Sequence, residues 1–373
     1  MKRIRVVVGI RFGQFYLEAL SSSQRFEIAG ILARGSEKAK DCSRKYGAPL
    51  YTDLNDLPRD IDAACVVVKS SVLGGKGTDL AIGLMNKGIH VLLEQPVHHN
   101  DLSEMELGWK KAKELWNYRL GSPLVSDYFH QNGKALRELL LGEVSATMLL
   151  FPEGKNDVAN ALYRETIIAG YLNGKIGEWV LEKCKNSEEL ISVLEVGAGT
   201  GATADVVLRT IEGALGQDAK IKYEYTDISN YFLRDAQSRY ENISWMRTRI
   251  LDIEKDIEIQ GIIGNSIDLI IAAGVINNVR NTVEVLKNLK RALKPGGIML
   301  ISEADGESIQ MLISQVFMMH EADDNRKDSS TTFLNNAQWL EAFHSAGLTV
   351  FDIMPQDTNK LSVLGQKLFV VSK

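Results

Sequence analysis

The chain has 373 residues, long enough to fill two hydrophobic cores. Its composition, 45% hydrophobic and 24% charged with 7 prolines against 31 glycines, is that of a folded globular protein and excludes extended disorder. A net charge of -5 excludes the basic footprint of a nucleic-acid binder and leaves small molecules or proteins as partners. The three cysteines, Cys42, Cys65 and Cys184, are odd in number, lack metal-ligand spacing and fall in strand or helix segments, so a cytoplasmic protein without a metal site is expected. The opening apolar run is too short for a signal peptide and no 18-residue apolar span follows, which predicts neither export nor a membrane helix.

Residues 4–8 are an apolar, β-branched run ending in Gly9-Ile10-Arg11-Phe12-Gly13, after which Phe15, Tyr16, Leu17 and Leu20 recur at helical spacing: strand, turn, helix. Strands follow at 28–33, 63–68 and 90–93, alternating with helices near 36–46 and 77–87, an order that requires a parallel sheet. A strand at 124–129, after the Gly121-Ser122-Pro123 break, is expected to close this unit. The pattern then restarts with a strand at 190–196, the glycine turn Gly197-Ala198-Gly199-Thr200-Gly201 and a helix at 202–215. Strands at 222–226, 267–273 and 298–302 continue it, the last two separated by a helix carrying Val285, Leu286, Leu289 and Leu293 that stops at Lys294-Pro295-Gly296-Gly297. The prediction is an α/β protein of two tandem Rossmann-like, doubly wound sheets, residues 1–130 and 135–373.

The second unit carries the sharper chemistry. Glycines 197, 199 and 201 leave no Cβ where the chain turns and where a cofactor meets backbone, with Glu195 and Ala198 beside them. Such a turn alone is shared by many nucleotide sites, and could be purely structural. The second strand, however, ends in Asp227-Ile228-Ser229, which sets a carboxylate where ribose hydroxyls would lie. After the third strand, Asp252 can accept from an adenine amino group and Ile253 cover its ring, while Ala273 ends the fourth strand. Asp252 could equally be a solvated loop acid.

Together, Glu195-Val196-Gly197-Ala198-Gly199-Thr200-Gly201, Tyr225-Thr226-Asp227-Ile228-Ser229, Leu251-Asp252-Ile253-Glu254 and Leu293-Lys294-Pro295-Gly296-Gly297 closely resemble the class I methyltransferase domains of polyketide and nonribosomal peptide synthetases. The resemblance extends upstream to Leu149-Leu150-Phe151-Pro152-Glu153-Gly154 and Ala161-Leu162-Tyr163-Arg164, and downstream to Phe333-Leu334 and Trp339. It implies a seven-stranded sheet, S-adenosylmethionine as methyl donor, and an acceptor on a carrier protein. The stretch Val275-Ile276-Asn277-Asn278-Val279-Arg280 is nearest to the variant serving thiazoline-containing siderophore synthetases. Carbon-methylating relatives carry a histidine base where this chain has Asn277, and asparagine cannot remove a proton near neutral pH. An amine is nucleophilic once unprotonated and needs mainly alignment. The resemblance therefore favours nitrogen methylation of a thiazolidine-type intermediate, carrier-bound or free, with Asn277 at the acceptor and Glu303, after the fifth strand, orienting or receiving a proton or else merely capping the strand.

In the first unit, Gly9 and Gly13 flank a turn one position tighter than the usual dinucleotide fingerprint, with Phe12 between them. The second strand runs into Arg34-Gly35-Ser36-Glu37-Lys38, with no acid for a ribose 2′-hydroxyl, so Arg34 and Ser36 favour the 2′-phosphate of NADPH. With Val67-Val68-Lys69-Ser70-Ser71, Gly74-Gly75-Lys76-Gly77-Thr78 and Glu94-Gln95-Pro96-Val97-His98, this resembles the nucleotide-binding half of thiazolinyl imine reductases, relatives of glucose-fructose oxidoreductases. That resemblance makes His98 a proton donor to an imine, in competition with a plain surface His98-His99 pair. The family continues into a large substrate domain, whereas here the methyltransferase pattern begins, so a vestigial or partial reductase is expected. The pairing is chemically coherent, because reducing a thiazoline creates the amine to be methylated. Two readings compete with it: NADPH-dependent imine reduction as the main activity, or a catalytically silent partner docking on synthetase modules. Elsewhere, Phe317 with Met318-Met319-His320 is expected as buried helix or a lid over the acceptor, and the charge run 321–327 as an exposed loop.

Overall fold

The structure, a computed structural model, describes residues 4–9, 14–67, 76–93, 99–216, 219–329 and 331–373. Contacts divide the chain into two units, Met1–Ala112 and Lys113–Lys373. In the first, strands β1 (Ile4–Gly9), β2 (Phe26–Leu32), β3 (Leu50–Tyr51), β4 (Ala63–Val66) and β5 (His90–Leu93) form one parallel sheet in the order β3-β2-β1-β4-β5. Alternation along the strands feeds two cores: Val7, Leu32, Ala64 and Val66 lie on one face, and Val6, Val8, Ile31 and Cys65 on the other. The two-residue β3 is too short to leave a periodic signal, and the sequence reading missed it.

The second unit holds seven strands: β6 (Ile191–Val196), β7 (Ile221–Asp227), β8 (Met246–Ile250), β9 (Ile267–Ala273), β10 (Leu293–Ala304), β11 (Thr349–Met354) and β12 (Gln366–Ser372). Their order is β11-β12-β10-β9-β6-β7-β8, parallel except for β12, which runs antiparallel to both neighbours. Alternate residues again reach opposite cores: Leu194, Ile270, Met299, Ile301 and Phe369 on one face, and Val193, Leu269, Ile271, Leu300 and Leu368 on the other. The helix Thr282–Ala292 is capped by Asn281, whose side chain accepts the Glu284 N–H at 3.1 Å, and buries Val285, Leu286 and Leu289 on the first of these faces. Trp339 is fully buried there and donates its indole N–H to the Ala304 carbonyl at 2.9 Å. Strand order reverses at β6, where β7 lies to one side and β9 to the other, so a crevice opens beyond the carboxyl ends of these strands.

Three expectations are corrected. Residues 124–129 are not a strand: they lie in the helix Pro123–Lys134, with Pro123 in its first turn, the Ser122 hydroxyl accepting the Leu124 N–H at 3.3 Å, and Val125, Tyr128 and Asn132 buried at helical spacing. Second, β10 begins at Leu293, so Lys294-Pro295-Gly296-Gly297 is an irregularity inside the strand's pairing with β9 rather than a turn before it. Third, the charge run is not wholly exposed, because Arg326 in the short helix Asn325–Ser329 is 2% exposed. The cysteines fall as expected, Cys42 and Cys184 in helices and Cys65 in β4, all with free thiols. Among the described residues no helix is long and apolar enough to cross a membrane, and no cluster could hold a metal ion.

Candidate functional site

The glycine turn after β6 is shaped by backbone that only glycine tolerates. Gly197 has φ 59°, and a Cβ there would overlap the Val275 side chain; Gly201 has φ 75°, and its Cβ would stand 2.8 Å from the Tyr240 hydroxyl. Glycine thus lets the first loop approach the loop after β9. A polar web fixes the turn from beneath. The Ala198 N–H donates to the Thr226 carbonyl at 2.9 Å, the Tyr225 hydroxyl to the Gly199 carbonyl at 2.6 Å, and the Gly199 N–H to Asp227 Oδ2 at 2.8 Å. Asp227 Oδ1 accepts the Ser229 N–H at 2.7 Å. Arg239 and Arg164 both donate to the Thr200 carbonyl, and Arg164 also pairs with Asp205 on the following helix, Ala202–Leu215. Desolvation, together with the neighbouring Arg239 charge, lowers the Arg164 pKa from its ordinary value.

Two buried carboxyls flank the turn. Glu195 is 2% exposed and accepts the Tyr223 hydroxyl at 2.8 Å; burial pushes its carboxyl up to about 8. Glu303, on β10, is pushed by burial up to about 7. Its Oε1 accepts the backbone N–H groups of Val275, Ile276 and Asn277 at 2.8, 2.5 and 3.4 Å, and its Oε2 accepts Asn277 Nδ2–H at 2.9 Å. One carboxylate therefore ties down a whole loop. The Asn277 amide, with its nitrogen committed, leaves Oδ1 buried without a hydrogen-bond partner among the described residues.

These groups meet in one cavity of about 310 Å³. Its floor is Glu195, Gly197, Ala198, Gly199 and Thr200; Ala273, Gly274, Asn277, Asn278 and Glu303 form one wall. Leu150, Phe151, Leu162 and Tyr163, from the leading segment picked out by the resemblance, form another. Met311, Gln315 and Met318 cover it. In the 317–320 run, Phe317 and Met318 end a single turn, Gln315–Met318, the residues up to Met319 are half-buried and His320 is exposed, and Met318 is the one of the four that lines the cavity. Of the expected cofactor residues, Gly201 and Asp227 sit just behind the lining, and Ile228, 69% exposed beside Asp227, offers a bare apolar surface. Ile253 is buried in the core, and Asp252 lies on a separate surface groove, its Oδ2 3.0 Å from Lys255 Nζ.

Sequence reasoning missed Arg164, Arg239, Asp205 and Arg326. The first was quoted only as part of a resemblance, and the others stand on helices and loops whose partners are distant in sequence. In the first unit, Gly9 is buried at the end of β1, Arg34 is exposed, and the Ser36 hydroxyl caps the helix Glu37–Tyr46 by accepting the Ala39 N–H at 3.3 Å. Phe12, Gly13 and His98 lie outside the described residues.

Residues 194–299, which span the glycine turn, Asp227 and the Asn277 loop, match the family described as methyltransferase domain. The second unit is a methyltransferase domain. Residues 4–117 match the oxidoreductase family, NAD-binding Rossmann fold, so the methyltransferase domain follows a nucleotide-binding one. The chain is 29% identical over 221 residues to pyochelin synthetase PchF of Pseudomonas aeruginosa, which covers 59% of this chain and only 12% of that synthetase. The methyltransferase fold is shared with the CurJ carbon methyltransferase, at TM-score 0.63 and 22% identity over 79% of this chain and 78% of that one. It is shared likewise with the trans-methyltransferase CalH, solved in complex with SAH, at TM-score 0.58 and 20% identity over 73% and 72%.

Proposed function

We propose that the chain methylates the nitrogen of a thiazolidine-type heterocycle, an intermediate of siderophore-like nonribosomal peptide or polyketide assembly presented on a carrier protein or free. The observation that carries this reading is Asn277, which lines the cavity and whose buried Oδ1 has no hydrogen-bond partner among the described residues. A buried acceptor without a donor is costly, so its complement is a ligand N–H. A secondary amine donating that N–H to Asn277 Oδ1 has its lone pair on the opposite side, free to meet an electrophile. No histidine lines the cavity among the described residues, Glu303 is engaged by four donors, and burial holds the Tyr163 phenol far above its ordinary range, so it keeps its proton. None of these groups is free to act as the base that a carbon acceptor requires.

The residues also fit the cofactor. The glycine turn presents bare backbone to the cavity, Asp227 just behind it is the proposed partner of ribose hydroxyls, and Ile228 is open to be covered by a ring. When bound, S-adenosylmethionine supplies an electrophilic sulfonium methyl. Asn277 then orients the amine, Glu303 behind it favours the positive charge that grows on nitrogen, and the half-buried Met311 and Met318 keep water out. In the first unit Arg34 and Ser36 are proposed to hold the 2′-phosphate of NADPH, with Gly9, Phe12 and Gly13 at its pyrophosphate and His98 as proton donor in a partial reductase.

The test uses methyl-deuterated S-adenosylmethionine with the N-acetylcysteamine thioester of thiazolidine-4-carboxylate. A three-deuterium mass gain located on nitrogen by NMR is expected. Label on carbon, or none while calorimetry still shows S-adenosylhomocysteine binding, would overturn the reading in favour of carbon methylation or of a silent partner of synthetase modules.

A further inference from the structure

The loop that carries Asn277 is gripped from two directions, and only one grip belongs to β10. On the other side stands Arg326, 2% exposed, from the charge run that follows the cavity cover. Its Nη1–H donates to the Asn277 carbonyl at 2.9 Å, and its Nη2–H to the carbonyls of Val279 and Arg280 at 2.6 and 3.2 Å. Asp324 neutralises the guanidinium through Nε–Oδ1 at 2.8 Å and Nη2–Oδ2 at 2.9 Å. The same carboxylate accepts the Thr282 N–H at 2.9 Å, and the Asp323 N–H donates to the Arg280 carbonyl at 2.8 Å. A buried guanidinium spending itself on three carbonyls of one loop is an expensive device if only packing were needed, since an apolar side chain fills such a space without desolvating a charge.

We infer that Arg326 is a positioning residue for the transfer step: it fixes the backbone of Asn277 so that the free Oδ1 faces the acceptor, linking the cover of the cavity to the acceptor wall. Glu303 holds the loop by its N–H groups and Arg326 by its carbonyls, so the Asn277 peptide is constrained at both ends. The planar fork of arginine reaches several carbonyls at once, whereas the single ammonium of lysine cannot span them. The inference rests on Asn277 as the group that meets the acceptor.

The test is steady-state kinetics of the full chain with the same thiazolidine thioester at saturating S-adenosylmethionine, for Arg326→Lys, Arg326→Gln, Asn277→Ala and the double variant Arg326→Lys with Asn277→Ala. Arg326→Lys keeps the charge beside Asp324, and thermal melts with S-adenosylhomocysteine show which variants are folded. The expected result is a fall in kcat of about tenfold or more for the folded Arg326 variants, with the dissociation constant for S-adenosylhomocysteine unchanged and the double variant no slower than Asn277→Ala alone. A fall in kcat that adds fully to that of Asn277→Ala, an unchanged kcat, or a loss confined to cofactor binding or stability would overturn it. If Asn277→Ala itself leaves turnover untouched, the reading of Asn277 fails instead, and the two failures are thereby told apart.

Discussion

The two units repeat one architectural idea, strands and helices alternating to build a sheet with its first strand inside it, yet they differ where the second strand ends. In the methyltransferase domain β7 ends in Asp227, 6% exposed and tied to the N–H groups of Gly199 and Ser229. In the first unit β2 runs out to an exposed Arg34 and to Ser36, whose hydroxyl is occupied in capping a helix. A buried carboxylate pinned to the turn suits neutral hydroxyls that donate to it; an exposed cation at a helix start suits a phosphate. The proposed difference in ligand chemistry between the two units rests on these strand ends.

The comparison breaks most sharply at Gly197. Gly197→Val forces φ 59° on a β-branched residue and drives its side chain into Val275, so calorimetry should show no binding of S-adenosylhomocysteine, with stability reduced by about 1–3 kcal/mol in denaturant melts. Next comes Asp227→Asn, which keeps the shape and removes the charge. It should raise the dissociation constant for S-adenosylhomocysteine by about tenfold to a hundredfold, and an unchanged value would mean that the carboxylate serves only to hold the turn.

The acceptor side has a pH signature. Burial lifts the Glu303 carboxyl from 4.5 to about 7, so between those values the folded protein holds a proton that the unfolded chain has lost. Its contribution to stability is full below pH 4.5, declines as pH rises towards 7, and is level above. Turnover should run the other way, because the ionised carboxylate accepts the Asn277 amide and so leaves Oδ1 free. The rate is expected to rise through pH 7 in the parent, and Glu303→Gln should flatten both profiles with a loss in kcat of about tenfold. The smallest effect belongs to the first unit: Arg34→Ala is expected to weaken NADPH about tenfold in a fluorescence titration and leave NADH unchanged. If the parent binds neither nucleotide, only a docking or structural role remains for that unit.

Much of the fold was legible because both sheets bury strands on two faces, and a run such as Ile267–Ala273 between turn signals has no other stable use. The helix Pro123–Lys134 was misread for the same reason: six mostly apolar residues look alike in either state, and the cap formed by Ser122 decided. That the Asp252 side chain turns to Lys255, over a groove separate from the cavity, is a placement that a linear pattern does not encode.

The sequence by itself determined the restart of the βαβ order, the glycine turn, the acid that ends β7 and the absence of a histidine at 277. All of these follow from local conformational rules, or from a residue's own chemistry, and need no distant partner. Tertiary structure alone decided that Glu303 binds the Asn277 loop, that Asn277 Oδ1 is left without a partner, and that Arg326 leaves an apparently solvated charge run to reach three carbonyls up to 49 residues away in sequence. Burial made the difference: a charged side chain reads as surface until the fold removes its water, and only then does the need to pair it fix what it holds.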